Sequence, residues 1–328
     1  MNNLAQSNKI FLVPIVLIVF NRPEKTKVIF DRIVEIQPKN LLIVSDGARK
    51  NFIGEELKVN QVREIFENLT WDCNLQTNYS NENLGPKKRI SSGINWAFSL
   101  FDEIIILEDD CLPSKSFFLF CEEMLNYYRN DNRIGMIGGY NYWSSKFRLK
   151  SSYAFSKYPM MWGYATWKNR WLSYDYDIKL WPIARDSELL KNLFSRKIER
   201  NYWQEIFELN YSNEMQHYDY CWALCSWLES RLCIYPSVNL ISNIGFDMEA
   251  SNTKDAKDNL ANFPLQDINF PLTHPKIIAP DFNVEQEIFK TLYNITFITR
   301  LKMYLKLVPF LKMTLRYLKF FIKKNKNS

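Results

Sequence analysis

Residues 103–113 carry the clearest signal in this chain and read EIIILEDDCLP. Four consecutive apolar residues run directly into Glu108, Asp109 and Asp110. Such an apolar run is typical of a buried strand in an α/β sheet. Three adjacent carboxylates at its end repel one another, and burial raises the cost of their charge. Hard divalent cations take carboxylate oxygens and bridge phosphates, so the stretch predicts a metal–phosphate site, with a solvated acidic turn as the alternative.

Strand and helix patterns alternate around this stretch through the first 140 residues. The sequence predicts strands at 15–20, 41–47, 73–78, 103–113 and 134–139, and helices at 23–36, 55–69, 87–101 and 114–129. Repeated βα units predict an α/β fold with a mostly parallel, Rossmann-like sheet flanked by helices. Ligands of such sheets bind beyond the carboxyl ends of the strands. Asn21, Arg22, Asp46 and the acidic triplet follow three of these strands, so we expect them to share one crevice.

The pattern changes after about residue 150. Residues 158–171 are dense in aromatic side chains, and no internal repeat follows. Helices are predicted at 187–195 and 198–211, a strand at 232–242, and loops at 247–283. The two halves of the chain are therefore expected to have different roles.

Composition excludes several classes of function. The 328 residues are 47% hydrophobic and 24% charged, which indicates a globular chain with a sizeable core. Two His residues leave little room for a His-built metal site or a Ser-His-Asp hydrolase, and the nine Gly residues form neither GxGxxG nor a P-loop. The six Cys residues show no CxxC spacing and are predicted to be free thiols in a reducing compartment.

Positive charge is concentrated at the C-terminal end. Residues 288–328 contain ten of the 42 Lys and Arg residues and none of the 36 acids, so residues 1–287 carry a net charge of −4. This argues against a nucleic-acid partner for the main body. Apolar and basic residues alternate over 290–326, interrupted by Pro309, which predicts an amphipathic helical tail on an anionic membrane surface. A tail packed on the body, with Lys stems extended to water, is the alternative.

The N-terminal end supports the same location. The apolar run at 13–20 is too short to span a membrane, and no secretory signal is evident. With the basic tail, this predicts a cytoplasmic protein that is peripheral on the inner face of the cell membrane.

The acidic stretch resembles the DxD region of GT-A glycosyltransferases. FNRP (20–23), SDG (45–47) and NLGPKKRISSGINWAF (83–98) are similar to that family's nucleotide-binding half. MMWGYATWKNRW (160–171), YDYCW (218–222) and NLISNIGF (239–246) resemble, in the same order, the acceptor half of the N-acetylglucosaminyltransferase I-like group and of family-2-like bacterial sugar transferases. The resemblance covers residues 12–250 and depends on the order of short motifs.

This resemblance implies a GT-A fold and a metal-dependent, inverting glycosyltransferase. A hexosyl or N-acetylhexosaminyl group would pass from a nucleotide diphosphate sugar, preferably a UDP-sugar, to a glycan or lipid-linked acceptor in surface polysaccharide synthesis. Mn²⁺ or Mg²⁺ would hold the diphosphate. Residues 1–150 would then bind the nucleotide sugar, residues 151–287 would bind the acceptor and carry the catalytic base, and residues 288–328 would form the tail.

The resemblance also implies roles for single residues of the acidic triplet. Asp110, its last acid, would be the direct metal ligand. Glu108 and Asp109 would contact the ribose or support the metal.

Further residues of the first half would bind the nucleotide. Asp46 would accept a hydrogen bond from the uracil ring, or it is simply a turn former before the following glycine. Asn21 and Arg22 would line the base and ribose pocket. Lys88 or Arg89, at the start of a helix, would meet phosphate oxygens, or they form a solvated basic face.

The second half would supply the base and a sugar platform. Asp219 matches the position of the family's base, with His217 as a rival and a helix cap as the structural alternative for Asp219. Tyr220 departs from the eukaryotic pattern, which has a second acid there. Trp162 and Trp167 are the expected sugar contacts, although aromatic residues in such a stretch are mostly core.

Two other functions compete with the transferase. A sugar-nucleotidyltransferase carries a Gly-rich phosphate loop after its first strand, where this chain has NRPEKT (21–26) with no Gly. A membrane-associated carbohydrate-binding protein without activity would not need the three acids and Asp219, which this chain retains.

Overall fold

The computed structural model of this chain describes residues 10–246 and 261–292. Its strands are β1 (Ile15–Val19), β2 (Asn40–Ser45), β3 (Asn74–Tyr79), β4 (Glu103–Glu108), β5 (Cys111–Pro113), β6 (Ile134–Gly138), β7 (Tyr153–Ser156), β8 (Tyr164–Trp167), β9 (Leu232–Pro236) and β10 (Ile241–Asn243). Its helices are α1 (Pro23–Ile36), α2 (Glu55–Glu64), α3 (Pro86–Leu100), α4 (Lys115–Tyr128), α5 (Lys168–Trp171), α6 (Trp181–Asp186), α7 (Leu189–Leu193), α8 (Lys197–Tyr211), α9 (Tyr218–Leu228) and α10 (Phe282–Leu292).

Eight strands form the central sheet, in the order β3-β2-β1-β4-β8-β6-β9-β7. The first four are parallel, as expected for strands joined by the crossover helices α1, α2 and α3. β8 is antiparallel to both β4 and β6, and β7 is antiparallel to β9, while β6 and β9 are parallel. The structure confirms the predicted α/β fold with a mostly parallel sheet flanked by helices. The sheet also continues across the expected boundary at residue 150.

Burial of the central strands explains their composition. Every residue of β1 is buried, and so are the four apolar residues of β4, because helices cover both faces of the sheet. α1 begins at Pro23, whose fixed φ suits a helix start, and its apolar positions Ile29, Phe30 and Ile33 face the core. Parallel pairing of β1 with β4 places the ends of both strands side by side, with Ile18 opposite Glu108.

Two predicted strands are each broken in the structure. The stretch 103–113 forms β4 and β5, separated by a turn at Asp109 and Asp110, and the stretch 232–242 forms β9 and β10. β5 and β10 pair with each other as a separate antiparallel ribbon. The turn allows the charged residues to leave the buried sheet, which explains why the strand ends where the acids begin.

The first residues of the predicted C-terminal tail lie in the last described helix. α10 continues through residue 288, where the basic tail was expected to begin, because Val284, Ile288 and Phe289 are buried against the body. The rest of the predicted tail, residues 293–328, lies outside the described residues. Among the helices that the structure does describe, none is both long and apolar enough to cross a bilayer.

Close packing of α3 on the sheet makes Gly93 a sensitive position. A Cβ atom there would lie 2.5 Å from Cγ1 of Val44, a buried side chain of β2. We expect Gly93→Ala to lower the free energy of unfolding by about 1–3 kcal/mol through overpacking, measured by urea denaturation. Ser92→Ala, the neighbouring change, should have little effect, and Val44→Ala should recover part of the loss in the double variant. An unchanged midpoint in Gly93→Ala would contradict this packing.

Candidate functional site

Arg22 connects the ends of two neighbouring strands. It follows β1, and its Nη1 donates to Oδ2 of Asp110 at 2.8 Å and lies 3.4 Å from Oδ1 of Asp109. Both acids follow β4, and all three side chains are at most 20% exposed. The structure thus brings together Arg22, Asp109 and Asp110, which the sequence placed at the ends of adjacent strands.

Asp109 is directed toward β1. Its Oδ2 accepts a hydrogen bond from the backbone N–H of Phe20 at 3.1 Å. Burial raises the pKa of Asp109 to about 6, while the charges of Arg22 and, at longer range, Lys25 oppose this shift. The carboxylate therefore fixes the start of the loop after β1 as well as pairing with Arg22.

Glu108 is directed toward the second half of the chain. The hydroxyl of Tyr218, the first residue of α9, donates to Oε1 of Glu108 at 3.1 Å. Burial, together with the charges of Asp110, Asp109 and Asp219, raises the pKa of Glu108 to about 8, although the hydrogen bond from Tyr218 opposes the shift. Glu108 therefore keeps its proton to a higher pH than an ordinary carboxyl does in the ligand-free chain.

Asp110 is enclosed by the segment that follows β10. The backbone N–H of Ile244 donates to the carbonyl oxygen of Asp110 at 2.8 Å. A Cβ atom on Gly245 would lie 2.2 Å from Oδ2 of Asp110, so this position admits only glycine without a shift of the carboxylate. NLISNIGF, which the sequence assigned to the acceptor half, thus contacts the acidic turn directly.

Asp219 lies in the first turn of α9, after His217, the N-cap residue, and Tyr218. Its side chain is 38% exposed, and its Oδ1 lies 3.8 Å from Nδ1 of His217. Desolvation raises the pKa of Asp219, and His217 opposes that shift. A recessed yet accessible carboxylate with a raised pKa suits a general base, and it lies close enough to Glu108 to raise its pKa.

Asp46 positions the loop before α3. It is buried, and its carboxylate accepts hydrogen bonds from the backbone N–H groups of Leu84, at 2.9 Å, and Gly85, at 3.0 Å. Burial raises the pKa of Asp46 despite these bonds. These bonds fix the residues immediately before α3, and the contact of Asp46 with uracil stays a prediction.

Asn21 belongs to a cluster that sequence reasoning missed. Its Nδ2 donates to Oε1 of Glu55 at 2.8 Å, and Glu55 accepts from Arg49 Nε at 3.0 Å. The guanidinium carbon of Arg49 lies 3.6 Å from the ring centroid of Phe52 and 5.6 Å from that of Phe20. Glu55 and Arg49 come from the segment after β2, and no local motif marks them.

The basic residues at the start of α3 differ from one another in burial. Lys88 is exposed, whereas Arg89 is buried and donates to the carbonyl and side-chain oxygens of Asn78, so it supports β3. Lys87 was not considered from the sequence, yet it is buried. Its spacing from Ile90 and Ile94 places it on the buried helix face, a signal that helical periodicity could have provided.

The two tryptophans also differ. Trp167 is 3% exposed, and its Nε1 donates to the carbonyl oxygen of Leu125, so it is a core residue with no face for a sugar. Trp162 is partly buried and makes edge contacts with Tyr140 and Phe246, at 4.8 and 5.7 Å between ring centroids. Of the expected platform, Trp162 alone retains an accessible surface.

The donor set fits a divalent cation that a ligand helps to hold. Within the described residues, no three His, Cys, Asp or Glu side chains form a complete cage. Mg²⁺ is usually bound by one or two carboxylates together with substrate phosphates, and Asp110 and Asp109 provide such a pair. Burial is the main cause that raises the pKa values of Glu108 and Asp109, and the charge of Asp110 adds to it, so a bound cation would stabilise the ionised form of both groups.

Comparison with known proteins gives only distant likenesses. No family model and no curated protein sequence matches the chain. The mannosyltransferase PcManGT from Pyrobaculum calidifontis, solved with GDP-Man and Mn²⁺, matches with a TM-score of 0.33 and 15% identity over 48% of this chain and 45% of its own. The 4-diphosphocytidyl-2C-methyl-D-erythritol synthase from Anaerococcus prevotii matches with a TM-score of 0.31 and 13% identity, over 49% of this chain and 74% of its own. UTP-bound UGPase from Acinetobacter baumannii matches with a TM-score of 0.26 and 11% identity, over 46% of this chain and 64% of its own.

The match therefore spans less than half the length of that mannosyltransferase. Likenesses this distant assign no activity to the chain.

The raised pKa of Glu108 predicts a pH-dependent stability. Ionised Glu108 disfavours the folded state, so the free energy of unfolding should fall as the pH rises from about 5 through 8. Glu108→Gln resembles the protonated form, and we expect it to remove most of that fall in urea titrations with EDTA. Glu103→Gln, at the surface end of the same strand, should keep the wild-type pH dependence. The same slope in Glu108→Gln would show that this carboxyl does not carry the effect.

Proposed function

We propose that this chain is a GT-A glycosyltransferase that uses a nucleotide diphosphate sugar, preferably a UDP-sugar, and a glycan or lipid-linked glycan acceptor. The observation that carries the proposal is the cluster at the carboxyl ends of β1 and β4. There Arg22 pairs with Asp109 and Asp110, while Asp219 lies nearby on α9. This edge of the sheet is where ligands of α/β sheets bind.

Charge explains how such a cluster would serve a diphosphate donor. The carboxylates repel phosphate, so a bound donor requires a counter-charge that Arg22 and Lys25 supply only in part. Mn²⁺ or Mg²⁺, when bound, would supply Lewis-acid stabilisation of the leaving diphosphate. Asp110 and Asp109 would hold this cation. The guanidinium of Arg22 has donors suited to phosphate or ribose oxygens.

Asp219 is the proposed base for the acceptor. Attack of an acceptor hydroxyl on the anomeric carbon releases a proton, which a carboxylate within reach can accept. Its raised pKa makes Asp219 a stronger base than an ordinary carboxylate. A single base and direct displacement would invert the anomeric centre. His217, at 3.8 Å, would stabilise the ionised form of Asp219.

Location is part of the same proposal. The ten basic residues of 288–328 would hold the enzyme at the anionic inner face of the cell membrane, each contributing about 1 kcal/mol near the surface. A lipid-linked acceptor would be presented at that surface.

Donor binding tests the site directly. We expect UDP with Mn²⁺ to raise the melting temperature by several degrees at 100 times its Kd, since such binding adds about 2.7 kcal/mol. GDP and CMP, tested in parallel, identify the preferred base. Asp110→Asn should lose the metal-dependent shift while keeping the ligand-free melting temperature within a few degrees. Asp102→Asn, 94% exposed at the opposite end of β4, is the matched control and should behave as wild type. A full shift in Asp110→Asn would refute the assignment.

The base is tested by separating binding from turnover. Asp219→Asn should retain the nucleotide-induced shift but lower UDP release from a UDP-sugar by about 10²-fold or more, because the proton then has no acceptor. His217→Ala should reduce the rate less. Normal turnover in Asp219→Asn together with loss in His217→Ala would assign the base to His217.

A further inference from the structure

Lys87 is a buried cation without an anionic partner. The residue is 2% exposed, and its ammonium makes no ion pair and no hydrogen bond to an oxygen atom among the described residues. It lies 4.3 Å from the ring centroid of Tyr176. It also lies near the thiol of Cys221 on α9, where it counteracts the burial that raises the thiol's pKa to about 11.

Such an arrangement is costly for a purely structural residue. Removing an ammonium from water costs several kcal/mol unless a carboxylate or phosphate compensates for it. A π face compensates for only part of that loss. Methionine or leucine would fill the same volume at lower cost, so the charge of Lys87 calls for an explanation beyond packing.

The start of α3 provides a second, independent observation. Lys87 lies in the first turn of this 15-residue helix, whose N-cap residue Gly85 has no side chain to accept from the first amides. Asp46 fixes the preceding backbone through the N–H groups of Leu84 and Gly85, so this helix start is rigidly placed. Uncapped first-turn amides attract anions.

We propose that Lys87 binds a phosphate group of the ligand, together with the first-turn amides of α3. The inference depends on the proposed donor site, because Lys87 lies near Cys221, two residues after Asp219 on α9. Its four-carbon stem allows the ammonium to leave the ring of Tyr176 without movement of the helix. Lys87 therefore replaces Lys88 and Arg89 as the phosphate-binding residue of this helix.

The test compares Lys87→Met with its exposed neighbour Lys88→Met. Calorimetry with Mn²⁺ measures binding of UDP, inorganic pyrophosphate and uridine, and thermal unfolding follows the ligand-free variants. Lys87→Met should bind UDP and pyrophosphate at least about tenfold more weakly and leave uridine binding unchanged. Its ligand-free melting temperature should stay the same or rise by about 2 °C, because an uncompensated buried charge is removed. Lys88→Met should match wild type in every measurement.

Each other outcome is decisive. Wild-type affinity for UDP in Lys87→Met would overturn the assignment and leave the donor site standing. A lowered melting temperature, or parallel loss of uridine binding, would assign Lys87 to the core. If wild type binds pyrophosphate but no nucleotide and Lys87→Met loses it, the phosphate site holds and the nucleotide-sugar proposal fails. No binding of UDP or pyrophosphate by wild type would overturn both.

Discussion

The pairing of Arg22 with Asp109 and Asp110 is the interaction on which the crevice depends. Without this guanidinium, two adjacent carboxylates would be largely withdrawn from water beside a third, Glu108, and mutual repulsion would oppose the turn that ends β4. Because Arg22 follows β1, the pair also holds the ends of the two central parallel strands together. A hydrogen bond from the backbone N–H of Phe20 to Asp109 also fixes the loop after β1.

The same acidic turn joins the two halves of the chain. From the second half, Tyr218 donates to Glu108, and Ile244 donates to the backbone of Asp110. β8 inserts between β4 and β6, so the later strands extend the same sheet. The beginning of α9, which carries Asp219, is thereby placed against the end of β4. Asp219, the candidate base, therefore already lies near the acids at the end of β4, and no movement of one half of the chain against the other is needed.

How far the sequence predicts these features depends on the range of the interactions. The apolar run of β4 and the alternation of strands and helices are local patterns, and they predicted the α/β fold and the position of the acids. The break between β4 and β5 was missed, because β5 is held by pairing with β10, more than a hundred residues away. The contacts of Asp46 with Leu84 and of Asn21 with Glu55 also join distant segments. Trp167 was expected to contact a sugar but is buried in the core. An aromatic-rich motif does not distinguish a buried ring from an exposed one.

Buried groups of opposite charge lie on separate elements of this fold. Burial raises the pKa values of Glu108 and Asp109 and the charge of Asp110 adds to the shift, whereas Lys87 on α3 has positive charge without a carboxylate partner among the described residues. A direct pairing would remove both costs, yet the fold keeps them apart on separate elements. A ligand that combines phosphates with a divalent cation would compensate both sides at once, the cation at Asp110 and the phosphate at Lys87. The unpaired charges destabilise the ligand-free fold, and a ligand that pairs with them recovers this free energy when it binds. Such a site can therefore favour a ligand of matching charge over water.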